Sequence, residues 1–502
     1  MTEDDIRAQR MAKVDELRRL GIDPYPPRVA RTVSVKQFLS SFANLADAGE
    51  SSVASNTATG AVGKAESLAG RVMSVRQHGG IIFADLFDGT ARVQLVLKQG
   101  ETDEQAFDHF VRFVDAGDFV SATGIAFTTK RGEPSLKVDQ WQMAAKSLMP
   151  LPSEWYGIKD EDLRFRQRYL DILLNEETRA LFERRSNFWQ TIRSFLLARE
   201  FIEVETPIIE TEPGGADARP FVTHHNALDM QAYLRISAGE LWQKRLLVAG
   251  FPRVFEIGRI FRNEGMSNEH LQDYTQLEFY QAFSDFKEGM TLLQELYRTI
   301  VQEVYGTTQF TIRGHEVDFA AEWKQLDYAT EIQHTFGIDP VRCTEEEAIA
   351  AAKKAGIALG DGDANKSRAV DLLWKKIRQG ISGPAFLTGV PVFLEPLAKR
   401  DPARPDVVER FQIIIAGSEL GKGFSELNDP VDQRGRFEEQ QSMRDAGDDE
   451  AQRMDESYVE ALEFGMPPAF GFGMSERLFS FLENKNVRET QLFPLLRPKT
   501  EQ

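Results

Sequence analysis

The sequence predicts an α+β protein in which a small β-barrel precedes a larger domain of helices and strands. At 502 residues the chain is too long for one ordinary core, and its composition, 42% hydrophobic and 27% charged, is typical of folded, soluble proteins. Short apolar strands alternate with turn signals between residues 68 and 145. Beyond residue 168, long helical patterns alternate with strands, which favours a separate α+β domain.

Residues 1–60 are predicted to form a helix followed by a flexible loop. Apolar residues recur at helical spacing from Ile6 to Leu20. Residues 41–66 are rich in Ala, Ser and Gly without any period, which predicts the loop. The first ten residues are acidic and polar, unlike a secretion or transit signal, and no apolar run approaches the ~20 residues of a membrane span. With Cys343 as its single cysteine, the chain is expected to be cytoplasmic and free of intramolecular disulfides.

Residues 61–148 are predicted to form the barrel. The candidate strands are 70–76, 81–87, 91–98, 119–127 and 135–143, with a helical stretch near 103–116. This spacing suits a barrel of the oligonucleotide-binding (OB) type, and an SH3-like barrel or small sandwich fits it equally well. Phe83 could stack on an unpaired base while Arg76, Gln94 and Glu133 read base edges. The net charge of −18 argues against nucleic-acid binding by bulk attraction, although residues 1–148 are close to neutral.

Residues 149–168 are predicted to be a linker, and residues 169–502 an α+β domain with a helical insertion near 335–385. Pro150 and Pro152 begin the linker, which also carries a dense cluster of charges. Helices are predicted beyond it at 176–199, 239–249, 285–304, 345–354, 365–377 and 474–483.

The chemically richest segment is residues 261–280, between two predicted strands at 253–262 and 274–283. It combines Arg262 with acidic, histidine and tyrosine side chains. An Arg fork binds carboxylate or phosphate, and a Tyr ring can stack on a purine. A site that holds an amino acid beside a nucleotide needs this mixture, whereas a simple hairpin with a polar loop would leave it unexplained.

Two later segments carry related chemistry. A predicted strand, 411–416, leads into the carboxylates Glu419 and Glu426 around a glycine-rich bend, which could bind Mg²⁺ or a cationic substrate. Further on, Gly471 and Gly473 precede a predicted helix with Arg477 in its first turn, an arrangement that favours anions. A solvated acidic turn and an ordinary helix start are the simpler alternatives.

Together these segments resemble class II aminoacyl-tRNA synthetases, and within them the lysine branch, over nearly the whole chain. Pro207 lies in what looks like the first class signature, and residues 261–280 and 471–483 look like the second and third. Residues 213–229 and 423–429 are similar to the lysine branch in particular. The resemblance implies a six-stranded antiparallel catalytic sheet, an N-terminal OB-fold anticodon-binding domain and a homodimer.

The activity implied is ATP-dependent charging of tRNA(Lys) with L-lysine through a lysyl-adenylate. The substrates and partners would be ATP, L-lysine and tRNA(Lys), with no membrane involved. A class II aspartate or asparagine enzyme is one alternative, and a catalytically altered tRNA-binding paralogue is another. Glu278 and Glu426 argue against the first, because both would repel an anionic side chain.

The resemblance also implies a role for each matching residue. The residues that would be catalytic are Arg262, Glu264, His270 and Arg477. Those that would bind ATP are Arg262, Glu264, His270, Tyr274, Glu419 and Arg477. Those that would bind lysine are Gly215, Glu240, Arg262, Glu278, Tyr280, Phe424, Glu426 and Gly473. Those that would read the anticodon are Arg76, Phe83, Gln94 and Glu133.

The implied cofactor is Mg²⁺, held by Glu419 and Gln412. Gln412 stands where the family pattern has a metal-binding Glu, Lys422 where it has Asn, and Leu271 where it has Asn. A Gln can offer only a neutral carbonyl, while a Lys supplies a fixed positive charge. We therefore expect fewer or weaker metal sites than the pattern implies, with Lys422 facing the pyrophosphate.

Overall fold

The computed structural model describes residues 2–47, 64–129, 131–152, 160–216, 218–265, 267–359, 365–445 and 453–498. The chain divides into two compact units, Met1–Lys159 and Asp160–Gln502. Among the described residues, no helix is both long and apolar enough to cross a membrane.

The first unit contains three helices among its described residues, α1 (Glu3–Arg19), α2 (Val35–Asp47) and α3 (Glu104–Phe113). The predicted N-terminal helix is confirmed, and Thr2 begins it with a capping box to Asp5. The loop predicted over 41–66 is wrong at 41–47, where α2 continues, while 48–63 lie outside the described residues. Buried Val35 and Phe38 pack the apolar face of α2 into the barrel's core cluster, so its helical spacing and its packing agree.

The strands of this unit close into a barrel in the order β1-β2-β3-β5-β4. They are β1 (Glu66–His78), β2 (Ile81–Phe87), β3 (Arg92–Lys98), β4 (Phe119–Thr128) and β5 (Pro134–Ala145). Neighbours pair antiparallel except β3 and β5, which pair in parallel. Helix α3 lies in the connection between β3 and β4. This parallel closure with an intervening helix distinguishes the OB-type barrel, which the strand spacing alone could not.

The helices described in the second unit begin inside the stretch predicted as a linker. They are α4 (Glu161–Arg166), α5 (Arg168–Leu174), α6 (Glu176–Leu197), α7 (Glu240–Val248), α8 (Phe286–Tyr305), α9 (Tyr328–Phe336), α10 (Glu345–Lys354), α11 (Lys366–Arg378), α12 (Pro430–Asp445), α13 (Glu456–Glu463) and α14 (Arg477–Leu482), with a 3-10 turn at Val392–Leu394. Helices α10 and α11 occupy the region of the predicted insertion near 335–385.

The strands of this unit include those of the central sheet. They are β6 (Ile202–Glu203), β7 (Ile209–Glu210), β8 (Val222–His225), β9 (Met230–Leu234), β10 (Arg253–Phe261), β11 (Asp273–Ala282), β12 (Gln309–Ile312), β13 (His315–Asp318), β14 (Lys324–Asp327), β15 (Ala385–Thr388), β16 (Arg410–Ile415), β17 (Ser418–Ser425) and β18 (Ala469–Ser475). The small sheets β7-β9-β8 and β12-β13 lie outside the central one.

Among the described residues, eight strands form the central sheet in the order β14-β15-β16-β17-β18-β11-β10-β6. The inner six are antiparallel, as the resemblance implies, and β14 and β6 add parallel edge strands. Leu277 and Phe279 of β11 belong to one buried apolar cluster with Phe188 of α6 and Leu293 of α8. Helices α6 and α8 therefore cover one face of the sheet, and the alternate side chains of β11 point to the other.

Candidate active site

A cavity of about 380 Å³ lies on the face of the central sheet opposite α6 and α8. Apart from Glu264, it brings together every residue that the resemblance assigns to catalysis, ATP, lysine or metal. The lining includes Gly215, Glu240, Arg262, His270, Tyr274, Glu278, Tyr280, Gln412, Glu419, Phe424, Glu426, Gly473 and Arg477.

Strand β11 supplies the polar floor of this cavity. Its lining residues are two apart along the strand: Tyr274, Gln276, Glu278 and Tyr280. Successive side chains of a strand point to opposite faces, so a single strand presents polar chemistry on one side and core residues on the other. Strand β17, which β18 separates from β11, adds Glu419, Lys422 and Phe424 to the lining.

Glycines let the walls of the cavity approach one another. Gly471 lies opposite Tyr280, and a Cβ there would be 2.0 Å from Glu426 Oε1 and 2.5 Å from the Tyr280 ring. Gly215 has a φ of +84°, and a Cβ there would be 2.7 Å from the Cβ of Glu240. At Gly473 a Cβ would make only ordinary contacts of 3.5 Å with the protein. Gly471 and Gly215 thus allow close packing within the protein, whereas Gly473 leaves room for a ligand.

Three buried carboxylates, Glu240, Glu278 and Glu426, converge at one end of the cavity. Glu278 Oε1 accepts hydrogen bonds from the backbone N–H of Ala238 (2.9 Å) and from Gln276 (2.6 Å). Glu278 Oε2 accepts one from the Tyr280 hydroxyl (3.1 Å). These donors fix the orientation of Glu278 without supplying a positive charge.

Lys244 of α7 is the fourth charged member of this group. Its Nζ lies 2.8 Å from Glu240 Oε1 and 2.6 Å from Glu426 Oε2, and its side chain is fully buried. Burial lowers the pKa of Lys244, but Glu240 and Glu426 outweigh it and hold the pKa well above its usual value. Lys244 therefore stays charged.

Burial, with the mutual repulsion of the carboxylates as a smaller contribution, raises the pKa of two of these groups. Burial, reinforced by the nearby Glu240, raises the pKa of Glu278 far above the usual carboxyl range. Burial also raises the pKa of Glu426, although Lys244 opposes the shift. A cationic ligand at this end of the cavity would favour the ionised forms of both.

The other end of the cavity is rich in cationic groups. Arg262 donates from Nε to the Ile236 carbonyl (3.3 Å), and its guanidinium lies 5.9 Å from the Tyr274 ring centroid. Arg477 pairs with Glu269 and donates from Nη1 to the Glu419 carbonyl (3.4 Å). Burial, followed by the charge of Arg477, lowers the pKa of His270. Such a cluster is suited to binding phosphates.

Glu264 is the one assigned residue that the structure leaves outside this cavity. It is exposed, and its Oε1 accepts the backbone N–H of Arg219 at 3.4 Å. Its assignment to adenine therefore stays a prediction.

The donor set around Glu419 fits a magnesium ion only in part. Glu419 Oε1 already pairs with Arg378 (2.7 Å) and accepts from Trp374 Nε1 (3.2 Å). Gln412 adds a neutral carbonyl oxygen, and no group of three or more His, Cys, Asp or Glu in the described ranges could hold a metal. One carboxylate and one amide suit an ion that keeps most of its bonds to phosphate and water, as Mg²⁺ commonly does.

Lys422 lies on the same strand as Glu419 and also lines the cavity. Its Nζ is 3.1 Å from Glu395 Oε2, which Arg410 approaches to 3.0 Å. Burial raises the pKa of Glu395, but Lys422 and Arg410 outweigh it and lower the pKa overall. Lys422 thus has a protein partner, and its predicted contact with pyrophosphate stays a prediction.

A second cavity, of about 830 Å³, lies on the barrel. It brings together all four residues assigned to the anticodon: Arg76, Phe83, Gln94 and Glu133. Gln94 donates from Nε2 to Glu133 Oε2 (3.2 Å), and Arg76 lies 3.4 Å from Asp85. The lining also includes the basic side chains Lys98, Arg131 and Lys137. The cavity therefore combines an aromatic face, base-edge donors and cations.

Sequence reasoning missed several residues that complete the main site. Lys244 lies one helical turn after Glu240, and this i,i+4 spacing could have drawn attention to it. Gln276 could have been found from its alternation with Tyr274 and Glu278. No local signal indicated Arg378, because its contact with Glu419 joins a helix to a strand 41 residues later.

Comparison with known proteins gives matches to both units. Residues 160–497 match the family described as tRNA synthetases class II (D, K and N), and residues 67–144 match the OB-fold nucleic acid binding domain. A lysine--tRNA ligase of Roseiflexus sp. (strain RS-1) is 42% identical over 499 residues, 99% of each chain. Those of Chloroflexus aurantiacus (42%, 99% of each chain) and Fervidobacterium nodosum (40%, 99% of this chain and 94% of the relative) are similar over comparable lengths.

Proposed function

This chain belongs to the class II tRNA synthetases of the D, K and N group, and we propose that it charges tRNA(Lys) with L-lysine at the expense of ATP. The observation that carries the proposal is the convergence of Glu240, Glu278 and Glu426 at one end of a cavity whose other end is cationic. Lysine, which carries two ammonium groups, fits the acidic end, and the triphosphate of ATP fits the cationic end.

Lysine would lie with its ammonium groups among the carboxylates. Glu240 takes the α-ammonium, Glu278 and Glu426 take the ε-ammonium with the Tyr280 hydroxyl, and Phe424 packs on the aliphatic stem. Gly473 leaves space for the chain of the substrate, and the lack of a side chain at Gly215 lets its backbone pack against Glu240. Selection for lysine follows because a ligand without the ε-ammonium leaves buried carboxylates unpaired.

ATP would occupy the cationic end, with adenine on Tyr274 and its exocyclic amine near Glu264. Arg262 lies between the two substrates and binds both the α-phosphate and the lysine carboxylate. His270 and Arg477 bind the β- and γ-phosphates. Without a cation nearby, the charges of carboxylate and triphosphate would repel each other, so these side chains bring the reacting atoms into contact.

In the first step a carboxylate oxygen of lysine attacks the α-phosphorus. The new P–O bond forms as the bond to the β-phosphate breaks, and pyrophosphate leaves. Arg262 stabilises the charge that spreads over the α-phosphate oxygens, and no protein nucleophile takes part. In the second step the terminal ribose hydroxyl of tRNA attacks the adenylate carbonyl, an ester forms, and AMP and a proton leave.

The barrel cavity would bind the anticodon. Phe83 stacks on the central uridine, while Arg76, Gln94 and Glu133 contact its edges. Magnesium dependence is general in this family. Glu419 and Gln412 would hold Mg²⁺ beside the phosphates, where it would neutralise part of their charge.

We also propose a homodimer, which an exposed apolar surface around Pro207 supports. The surface includes Ile202 (45% exposed), Ile208 (48%), Ile209 (55%), Val222 (59%) and Leu228 (66%). Ile209 and Val222 lie on the two strands that flank β9, and exposed apolar side chains of this kind are a common feature of protein interfaces. We place the protein in the cytoplasm, because charging requires ATP, lysine and tRNA in one compartment.

Lysine-dependent ATP–pyrophosphate exchange tests the proposal. We expect exchange with lysine and none with aspartate or asparagine. Exchange with aspartate would replace the proposal with the aspartate alternative, and no exchange with any of the three would favour a non-catalytic tRNA-binding protein. Three buried carboxylates and the full-length similarity to lysine--tRNA ligases disfavour both outcomes.

A further inference from the structure

Lys244 lies beneath the lysine end of the cavity without lining it. Its side chain is fully buried, and its Nζ contacts Glu240 Oε1 at 2.8 Å and Glu426 Oε2 at 2.6 Å. The two carboxylates come from distant parts of the chain, the first residue of α7 and the residue that follows β17. The ammonium group of Lys244 thus bridges two carboxylates on different walls of the cavity.

The aromatic members of the site also surround this ammonium. Lys244 Nζ lies 5.3 Å from the Phe424 ring centroid and 5.8 Å from that of Tyr280. Both distances fall in the range of cation–π attraction. Four side chains to which we assign contacts with substrate lysine therefore also lie close to a lysine of the protein.

The charges of the group can be counted from these contacts. Glu240, Glu278 and Glu426 carry three negative charges when ionised, and Lys244, which contacts two of them, cancels one. Arg410 and Lys422 also line the cavity, but they pair with the nearby Glu395. The two carboxylate charges that remain equal the number of ammonium groups on free lysine. A pocket that keeps all three charges would leave one buried carboxylate uncompensated when lysine binds, which is unfavourable.

We propose, on the basis of the proposed function, that Lys244 is a positioning residue that sets the charge of the lysine pocket. It also holds Glu240 and Glu426 at the spacing of the substrate's two ammonium groups. Lys244 itself does not touch the substrate. If Lys244 formed only a structural ion pair, its loss would destabilise the fold and would not affect the KM for lysine more than the KM for ATP.

The test compares Lys244→Met with Lys146→Met. Lys146 is a matched control, since it is also fully buried, pairs with Asp115 and with Asp118 (2.7 Å), and belongs to the other compact unit. In the full-length protein we expect Lys244→Met to raise the KM for lysine in ATP–pyrophosphate exchange by about 100-fold or more, with the KM for ATP within about threefold. Lys146→Met should lower the melting temperature and leave the lysine KM unchanged.

A double variant separates positioning from general damage. If Lys244 acts through Glu426, the effects of Lys244→Met and Glu426→Gln on the lysine KM will not multiply. Multiplicative effects, an unchanged lysine KM in Lys244→Met, or equal changes for lysine and ATP would overturn the inference. Absence of lysine-dependent exchange in the unaltered protein would instead overturn the proposed function.

Should Lys244→Met fail to fold, Lys244→Ala decides the question. This substitution removes three methylenes and the ammonium, which 1-propylammonium can replace. We expect 1-propylammonium to lower the lysine KM of Lys244→Ala at least about tenfold, and tetramethylammonium at the same ionic strength to have no effect. Lack of rescue, or a protein that does not fold even with the amine, would make Lys244 a structural requirement and overturn the inference.

Discussion

Glu426→Gln provides the sharpest test of the acidic end of the cavity. Glu426 is 1% exposed, and the substitution keeps its size while removing its charge. The substrate ammonium would lose a buried, charge-assisted contact, which costs about 3 kcal/mol and corresponds to a rise of about 100-fold in the KM for lysine. The nucleotide contacts lie at the other end of the cavity, so the KM for ATP should change by no more than about twofold.

The assay is ATP–pyrophosphate exchange with each substrate varied in turn. Glu463→Gln is the control, because Glu463 is exposed on α13 and does not line the cavity. The melting temperature of Glu426→Gln should stay close to that of the unaltered protein, since Lys244 keeps its contact with Glu240. Equal increases in both KM values would refute the assigned role of Glu426, because they would indicate general damage to the site.

Three further predictions concern pH, backbone space and the barrel. Burial raises the pKa of Glu278 and of Glu426 to about 8, and a bound ammonium favours their ionised forms. Lysine binding should therefore release protons, and the lysine KM should fall as the pH rises from 6 to 8. A lysine KM that is flat over this range, with no proton release in calorimetry, would contradict these shifts. Gly471→Ala would place its Cβ 2.0 Å from Glu426 Oε1, so we expect loss of lysine binding and a lower melting temperature. Gly473→Ala should have the melting temperature of the unaltered protein. Phe83→Ala should raise the KM for tRNA by about 5- to 100-fold, because a stacking contact with a base is lost. The same substitution should leave ATP–pyrophosphate exchange unchanged. An effect on exchange would count against an anticodon role for Phe83.

Much of the local structure could be predicted because it follows from periodicity. The helices α1 and α6 carry apolar stripes, and the barrel strands are separated by glycine turns, so their positions agree closely with the predicted ranges. Helix α2 was not predicted although its apolar residues Val35, Phe38, Leu39, Phe42 and Leu45 recur at helical spacing, because the Ala- and Ser-rich composition of the segment that follows was extended over its second half. The edge strand β6 has two residues, too few for alternation to be visible.

Part of the site could also be predicted from the sequence, and part could not. Residues with distinctive chemistry, such as Arg262 and Glu278, could be named from the motifs, and the fold brings them to one cavity. The contact between Lys244 and Glu426 could not be predicted, because it joins positions 182 residues apart through the pairing of β17 with β18 and of β18 with β11. Nor does the sequence reveal that Gly471, rather than Gly473, is the position where a Cβ would collide with the protein.

The alternation along β11 constrains how this enzyme could evolve or be redesigned. Every second residue, from Tyr274 to Tyr280, faces the cavity, while Leu277 and Phe279 between them are fully buried in the core. Substrate preference and folding are therefore encoded in the same ten residues but in separate, interleaved positions. Point substitutions can alter one property and spare the other, whereas inserting or deleting a single residue would exchange the two faces and abolish both.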